Sequence, residues 1–187
     1  PLVVLVTNGA ADGKEWAAWA LAVLACDVPN QTAIAAAGGI SPLVALVTNG
    51  AADGREKAAG ALGNLARNDT NRVEIAEALV VAANRNNHEQ IVRAMKAFAN
   101  DDSSNRAAVA EVLVAAAANS RSPQLAARTM ERFTRGDADN RFAVANALAS
   151  EGDQARAARA MHSLTYGHAA NRATIAAGLV ALMASER

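Results

Sequence analysis

Residues 42–71 read PLVALVTNGAADGREKAAGALGNLARNDTN, and residues 1–30 read PLVVLVTNGAADGKEWAAWALAVLACDVPN. The second stretch is a near copy of the first at a constant offset, which aligns Pro1 with Pro42 and Asn30 with Asn71. Twenty of the thirty aligned positions are identical. A copy at a fixed period is the signature of a repeat array, whose units bury their apolar faces only by stacking on their neighbours. We therefore expect the 187 residues to form one repeat array.

The composition favours an all-helical protein. Apolar residues make up 52% of the chain, yet aromatic residues make up only 3%, and alanine is the most frequent residue. Alanine is the best helix former, and its small side chain lets helices approach closely. The 18 basic and 18 acidic residues cancel, which argues against a surface built to bind nucleic acid or an anionic membrane.

The chemically reactive residues predict no catalytic, metal or cofactor site. Cys26 is the only cysteine, so an internal disulfide is excluded and a reducing intracellular compartment is favoured. The three histidines lack partners at metal-ligand spacing. No uninterrupted apolar run approaches the roughly 18–20 residues of a membrane span. Because the chain begins inside a repeat, we expect it to be part of a longer protein.

Glycine and proline divide the first two repeat units into helices. The sequence TNGAADG is rich in turn-forming residues and predicts turns at 7–13 and 48–54. Gly38 and Gly39 are expected to end a short helix, because glycine allows positive φ, and Pro42 is expected to begin the next. The helices predicted for these units are 1–6, 14–25, a short helix from 30, 43–47 and 55–67.

One phrase then recurs four times: NRVEIAEAL at 71, NRAAVAEVL at 105, NRFAVANAL at 140 and NRATIAAGL at 171. Its asparagine is expected to cap each helix, because an asparagine side chain accepts from first-turn amides and contributes about 1 kcal/mol. These helix starts lie closer together than the two copies at the beginning of the chain, because the GGISP break is absent. Two short helices are therefore expected to fuse into one. The predicted pairs are 71–85 with 88–99, 105–119 with 123–135 and 140–150 with 153–166, followed by 171–185.

The run AIAAAGGISPLVALVTNGAADGREKAAGALGNLARNDTNRVEIAEA, residues 33–78, resembles the armadillo repeat. The resemblance rests on the helix-ending GG, the proline restart, the ALGNLA long helix and the NDTNRVEIAEA helix start. It covers roughly residues 1–78, and beyond that the helix starts and spacing are similar to degenerate armadillo or HEAT-like pairs. It implies an all-α, right-handed α-solenoid of about four and a half repeats, with units at 1–41, 42–78, 79–112, 113–147 and 148–187.

The resemblance also implies that the last helix of each unit lines a concave groove that binds extended peptides or partner proteins. Armadillo proteins that bind extended peptides carry a tryptophan on this helix and an asparagine four residues later. The first unit has Trp19 and Val23 at these places, and the second unit has Gly60 and Asn64. Because no unit carries both residues, the peptide-clamping pair is split between two units.

At the place of Trp19 and Gly60, the later units carry arginine at Arg93, Arg128 and Arg159. A guanidinium group is a planar fork suited to carboxylates, so these residues predict an acidic partner segment. Arg132 follows Arg128 by one helical turn and shares its face. The alternative is a solvated face, with charges neutralised by Glu89, Asp101, Glu131 and Asp153.

Two further sets of residues have a functional and a structural interpretation. Trp16 and Trp19 share one helix face and are of the type enriched at binding hot spots, although an upstream repeat is an alternative neighbour for them. The arginines of the recurring phrase lie in first turns, where the helix dipole disfavours cations. We expect neighbouring acids or adjacent repeats to hold them, which is a structural role for Arg72, Arg106, Arg141 and Arg172.

These observations lead to two hypotheses of function. The first is a non-catalytic adaptor or scaffold that binds a partner protein along the groove through Trp16, Trp19, Asn64, Arg93, Arg128, Arg132 and Arg159. The second is a permanent subunit of a large assembly, such as a membrane-bound, energy-converting complex. A permanent subunit should bury a large apolar interface, whereas an adaptor should present a wet, charged groove.

Overall fold

The computed structural model describes residues 1–82, 88–99, 102–119, 123–151, 153–165 and 169–185. These residues form α-helices joined by short connections, and none of them lies in a strand. The helices are α1 (Leu2–Asn8), α2 (Ala11–Leu24), α3 (Val28–Ala36), α4 (Ile40–Asn49), α5 (Ala52–Leu65), α6 (Asp69–Ala82), α7 (His88–Ala99), α8 (Ser103–Asn119), α9 (Pro123–Thr134), α10 (Ala138–Ser150), α11 (Gln154–Thr165) and α12 (Ala169–Ser185). The predicted fold class, an all-α solenoid, is confirmed.

The helices divide into two compact units, Pro1–Phe98 and Ala99–Arg187. In the first unit α4 contacts both α1 and α6, and α2 packs on α5. In the second unit α8, α10 and α12 form one layer, and α9 and α11 pack on each other in a second layer. Each unit thus buries its core between layers of stacked helices, as a repeat array requires.

Alanine makes the close contact between α2 and α5. Ala17 and Ala18 on α2 and Ala58 and Ala61 on α5 are all fully buried. Small side chains at a helix contact let the two backbones approach, while larger residues such as Leu62 fill the space behind them. The alanine-rich composition is therefore explained by the spacing of the repeats.

The predicted turns at 7–13 and 48–54 are wrong in extent. The break between α1 and α2 consists only of Gly9 and Ala10, which are extended with ψ near 165°. The hydroxyl of Thr7 donates to the carbonyl of Val3 at 2.8 Å, so this residue stays within α1. Asp12 lies in the first turn of α2, where the helix dipole favours an acidic side chain. The same break recurs one period later.

Of the glycine pair between α3 and α4, only Gly38 has the predicted positive φ. Gly38 has a φ of 74°, which favours glycine. Gly39 instead has a φ of −72°, and its role is steric, because an added Cβ would lie 2.7 Å from Ile34 Cγ2. Its amide donates to the carbonyl of Ile34 at 2.9 Å and closes the helix end. The next helix then begins at Ile40, two residues before the predicted start at Pro42.

We expect Gly50, in the break between α4 and α5, to be required for stability. An added Cβ at Gly50 would lie 2.5 Å from the carbonyl oxygen of Leu46, whereas nothing lies within 4 Å of one at Gly60. Gly50→Ala should lower the free energy of unfolding by roughly 1–3 kcal/mol through overpacking. Gly60→Ala should raise it by about 0.5–1 kcal/mol, because alanine favours a helix interior. Urea denaturation of both variants tests this, and equal effects of the same sign would contradict the packing argument.

Candidate functional site

The recurring asparagines are not helix caps, so that prediction is wrong. Each is the third residue of its helix and is buried, as found for Asn71, Asn105, Asn140 and Asn171. For three of them the cap lies three residues earlier, where a side-chain oxygen accepts from the backbone amide of the asparagine itself. These bonds run from Asn71 to Asn68 at 3.2 Å, from Asn105 to Asp102 at 3.0 Å and from Asn140 to Asp137 at 2.9 Å.

The side-chain amides of these asparagines join neighbouring helices and neighbouring repeats. Asn71 Nδ2 donates to the carbonyl of Leu65 at 3.2 Å and to that of Gln31, in the preceding repeat, at 3.1 Å. Asn171 Nδ2 donates in the same way to Leu164 at 2.7 Å and to Ala127 at 3.0 Å. Each of these two amides thus joins the last turn of one helix to the interior of a helix in the preceding repeat, which fixes the register of stacking.

The arginines of the recurring phrase also have structural partners. Arg106, Arg141 and Arg172 donate to backbone carbonyls seven residues earlier, at 3.2, 3.4 and 3.0 Å. Those carbonyls belong to the last residues of α7, α9 and α11, where the helix dipole favours a cation. Arg72 instead forms an ion pair with Asp69 at 2.7 Å. We therefore assign these arginines to helix junctions and not to a binding surface.

Three other arginines of the second unit are exposed on α9 and α11. Arg128 and Arg132 lie one turn apart on α9, and Arg159 lies on α11, which packs against α9. Within the described part of the chain none of the three forms an ion pair or a hydrogen bond through its guanidinium group. We call Arg128, Arg132 and Arg159 the arginine patch.

Most acidic side chains of the second unit are used elsewhere. Asp102, Asp137 and Asp153 accept from backbone amides at helix starts, Glu131 pairs with Arg135, and Asp139 lies 3.7 Å from Arg106. Glu111 and Glu151 line a cleft of about 320 Å³ on α8 and α10, in the other helix layer. Two of the acids expected to neutralise the arginines, Glu131 and Asp153, thus have other partners, and Asp101 lies outside the described residues.

Arg93, predicted to belong to the same row, lies in the first unit. Its guanidinium group forms an ion pair with Glu89, one turn earlier, at 2.7 Å. Arg93 also lines a cleft of about 330 Å³ between α5 and α7, with Ala59 and Ala94 on its floor. The sequence did not indicate this cleft. No signal was available, since Ala59 and its repeat equivalent Ala18 are both alanine, and only their burial differs: Ala18 is buried and Ala59 is half-buried.

Trp16 and Trp19 form an exposed aromatic surface on α2. Their rings are perpendicular with centroids 6.2 Å apart, and their exposed fractions are 60% and 52%. Lys57 of α5 places its Nζ 4.5 Å from the centre of the Trp16 ring and forms an ion pair with Glu15. The lysine holds the Trp16 ring by a cation–π contact, and no contact of this kind is found for Trp19 in the described part of the chain. The repeat alignment could have indicated this contact, because Lys57 is the repeat equivalent of Trp16.

Asn64, expected in the groove, ties α5 to α2. Its Nδ2 donates to the carbonyl of Ala22 at 2.9 Å and lies 3.7 Å from the sulfur of Cys26. The Nδ2 group of Asn64 is therefore used in a contact between two helices of the fold. Trp16, Trp19 and Asn64 lie in the first unit, and Arg128, Arg132 and Arg159 lie in the second.

Two classes of site are not indicated by the described residues. Among residues 1–82, 88–99, 102–119, 123–151, 153–165 and 169–185, no group of three or more His, Cys, Asp or Glu is placed to hold a metal ion. In the same residues no single helix has the length and apolarity to cross a membrane, although α3 and α4, bent by 83°, meet that criterion together.

The motif asparagine gives a stability prediction. Asn71→Ala should lower the free energy of unfolding by about 2 kcal/mol, because two buried carbonyls lose their donor. Asn49→Ala, at an exposed asparagine at the end of α4, should change it by less than about 0.5 kcal/mol. Chemical denaturation measures both, and an Asn71→Ala variant as stable as the parent chain would show that these bonds do not hold the repeats together.

Comparison with known proteins matches residues 27–67 to the armadillo/beta-catenin-like repeat. Two crystal structures of engineered proteins from the Northeast Structural Genomics Consortium are similar to the chain. One is 26% identical over 87% of this chain and 77% of its own, with a TM-score of 0.45. The other is 25% identical over 95% of this chain, with a TM-score of 0.44, and this chain spans half its length. No curated protein sequence matches.

Proposed function

We propose that this chain, whose residues 27–67 match the armadillo/beta-catenin-like repeat, is a non-catalytic scaffold that binds an acidic segment of a partner protein on the arginine patch. Armadillo repeats generally mediate protein–protein interaction, which supports the first part of the proposal. The second part, the partner's chemistry, follows from the charges on α9 and α11. Nothing in the described residues points to an enzymatic activity.

The observation that carries the proposal is the uncompensated charge of the arginine patch. Arg128, Arg132 and Arg159 are exposed and have no acidic partner in the described residues, while nearby acids are used as caps and in ion pairs. Charge-assisted hydrogen bonds from guanidinium groups to carboxylates are about twice as strong as neutral ones. An acidic segment would supply the missing counter-charge, and steering by these charges would speed its association.

A protein segment fits this surface better than a nucleic acid. The chain as a whole has no net charge, and nucleic-acid binding depends on neutralising many phosphates along a basic surface. Three arginines offer few such contacts. They match a short acidic stretch of polypeptide, whose carboxylates alternate with groups that carry no charge.

The tryptophan surface of α2 supports a separate contact in the first unit. Trp19 is half exposed and rigidly placed beside Trp16, and tryptophan is enriched among residues that dominate interface energetics. Gly60 occupies the equivalent position in the next repeat and leaves open space there. An apolar side chain of the partner would find an aromatic face bordered by a flat stretch of helix.

A second candidate function is a permanent subunit of a larger assembly. It is favoured by the apolar residues exposed on the first repeat, where Leu5 and Leu24 are 41% and 42% exposed. Their equivalents one period later, Leu46 and Leu65, are 9% and 0% exposed because the first repeat packs on them. A large apolar surface of this kind is typical of obligate interfaces.

Charge reversal tests the arginine patch. The full protein carrying Arg128→Glu/Arg159→Glu is purified from its own cells under gentle solubilisation, and the partner recovered with it is measured. The amount of a direct partner should fall by about 90% or more, since like charges now repel. The matched control is Arg55→Glu/Arg67→Glu, which changes the charge equally at exposed arginines of the first unit, outside the patch. The recovered partner is then tested with purified components. If all three forms recover the same stoichiometric set of subunits, the adaptor hypothesis fails and the permanent subunit is supported.

The two tryptophans should differ in what their removal costs. Trp19→Ala should leave the stability within about 0.5 kcal/mol and weaken binding of the purified partner roughly tenfold or more, as expected for an exposed hot spot. Trp16→Ala removes the contact with Lys57 and should lower the free energy of unfolding by about 1 kcal/mol. Denaturation and calorimetric titration measure both. Unchanged affinity in Trp19→Ala would remove α2 from the interface.

A further inference from the structure

The backbone positions of the three patch arginines are rigid. Arg128 and Arg132 are one turn apart on α9, so their Cβ atoms lie about 6 Å from each other. Their neighbours Ala127, Met130 and Phe133 are fully buried and anchor that helix. On α11 the arginine is followed by the buried Ala160. The backbone positions are therefore fixed, and only the long side chains remain to be ordered by a ligand.

The arginines on and next to α9 and α11 differ in whether they have partners. Arg135, which directly follows α9, pairs with Glu131 at 2.9 Å, and the arginines at the helix junctions bind backbone carbonyls. Among the second-unit arginines whose side chains the structure describes, those of the patch make neither an ion pair nor a hydrogen bond through the guanidinium group. Arg128 and Arg132, one turn apart, repel each other, and an anion that contacts them together with Arg159 on the neighbouring helix relieves that repulsion.

A single carboxylate is a poor match for three guanidinium groups. It carries one charge and two oxygens, which one arginine fork satisfies. A phosphate monoester carries about 1.5–2 negative charges at pH 7 and three acceptor oxygens. It can accept from three forks at once, as in the arginine clusters that recognise phosphorylated motifs.

We propose that the partner segment bound by the arginine patch carries a phosphoserine or phosphothreonine, so that phosphorylation of the partner controls binding. This rests on the proposed function, because it concerns the same surface. The phosphate contacts Arg128, Arg132 and Arg159 together, and acidic residues flanking it in the partner add to the attraction. Removal of the phosphate returns the segment to weak binding.

The first experiment uses the arginine signals of the protein in solution. The side-chain Nε–Hε groups are followed by NMR at pH 7.5 and constant ionic strength while inorganic phosphate, malonate or acetate is added. Phosphate should shift the three patch signals together and saturate at a concentration at least about tenfold below malonate, a dianion of similar charge. The signal of Arg135 is an internal reference, because that residue already has a partner.

The outcomes separate this inference from the proposed function. Equal midpoints for phosphate and malonate would overturn the phosphate preference and leave an acidic segment as the ligand. The absence of a shift at the patch with any anion would remove both. Arg159→Gln should weaken phosphate at least about fivefold if that residue is a shared contact, and an unchanged midpoint in this variant would overturn the three-arginine site.

The second experiment identifies the source of the phosphate. Three degenerate peptide libraries of equal length, with a central phosphoserine, glutamate or serine, are compared by retention on the immobilised protein, with polyuridylate in a parallel channel. The phosphoserine library should be retained at least about tenfold more than the glutamate library, and Arg128→Gln/Arg159→Gln should abolish the difference. Equal retention of phosphoserine and glutamate, or tighter binding of polyuridylate, would overturn a phosphorylated protein segment as the ligand.

Discussion

The side-chain amide of the recurring asparagine is the interaction on which the stacking of this chain depends. Helix ends leave backbone carbonyls without partners, and in a stack of short helices many of these ends lie in the interior. Asn71 and Asn171 each donate to two carbonyls, one in the last turn of the preceding helix and one inside a helix of the preceding repeat. A buried amide that must meet two fixed acceptors sets the position of each helix more strictly than apolar contact does.

This use of polar groups explains which residues remain for binding. Asparagine and arginine of the recurring phrase are held by carbonyls at the helix junctions, and the aspartates ahead of them cap the helix starts. Glu131, an acid that does lie on α9, is paired with Arg135. Arg128, Arg132 and Arg159 keep their charge because the acids around them already have partners in the fold.

The sequence pattern predicted the helices well and the polar contacts less well. Every predicted helix within the described residues exists, because alanine-rich segments with helical spacing have few alternatives. Asn140 was expected to accept as a cap, but it is buried and donates to the carbonyl of Phe133, since a cap and a residue just inside the helix look alike in sequence. The recurrence of arginine was visible, and of the four acids named as possible neutralising partners Glu89 does pair with Arg93, whereas Glu131 pairs with Arg135. Ion pairing depends on which acids are free after packing, and arginine spacing contains no information about that.

Sequence alone is enough to establish that this chain is a helical repeat array, because a fixed period and an alanine-rich composition are linear properties that stacking satisfies. Three-dimensional packing was needed to separate the polar groups used in the fold from those left free. Burial made Asn71 a tie between repeats instead of a cap, and packing of α5 on α2 brought Lys57 over Trp16. The reason is that a hydrogen bond or ion pair depends on distances of a few ångströms between residues tens of positions apart.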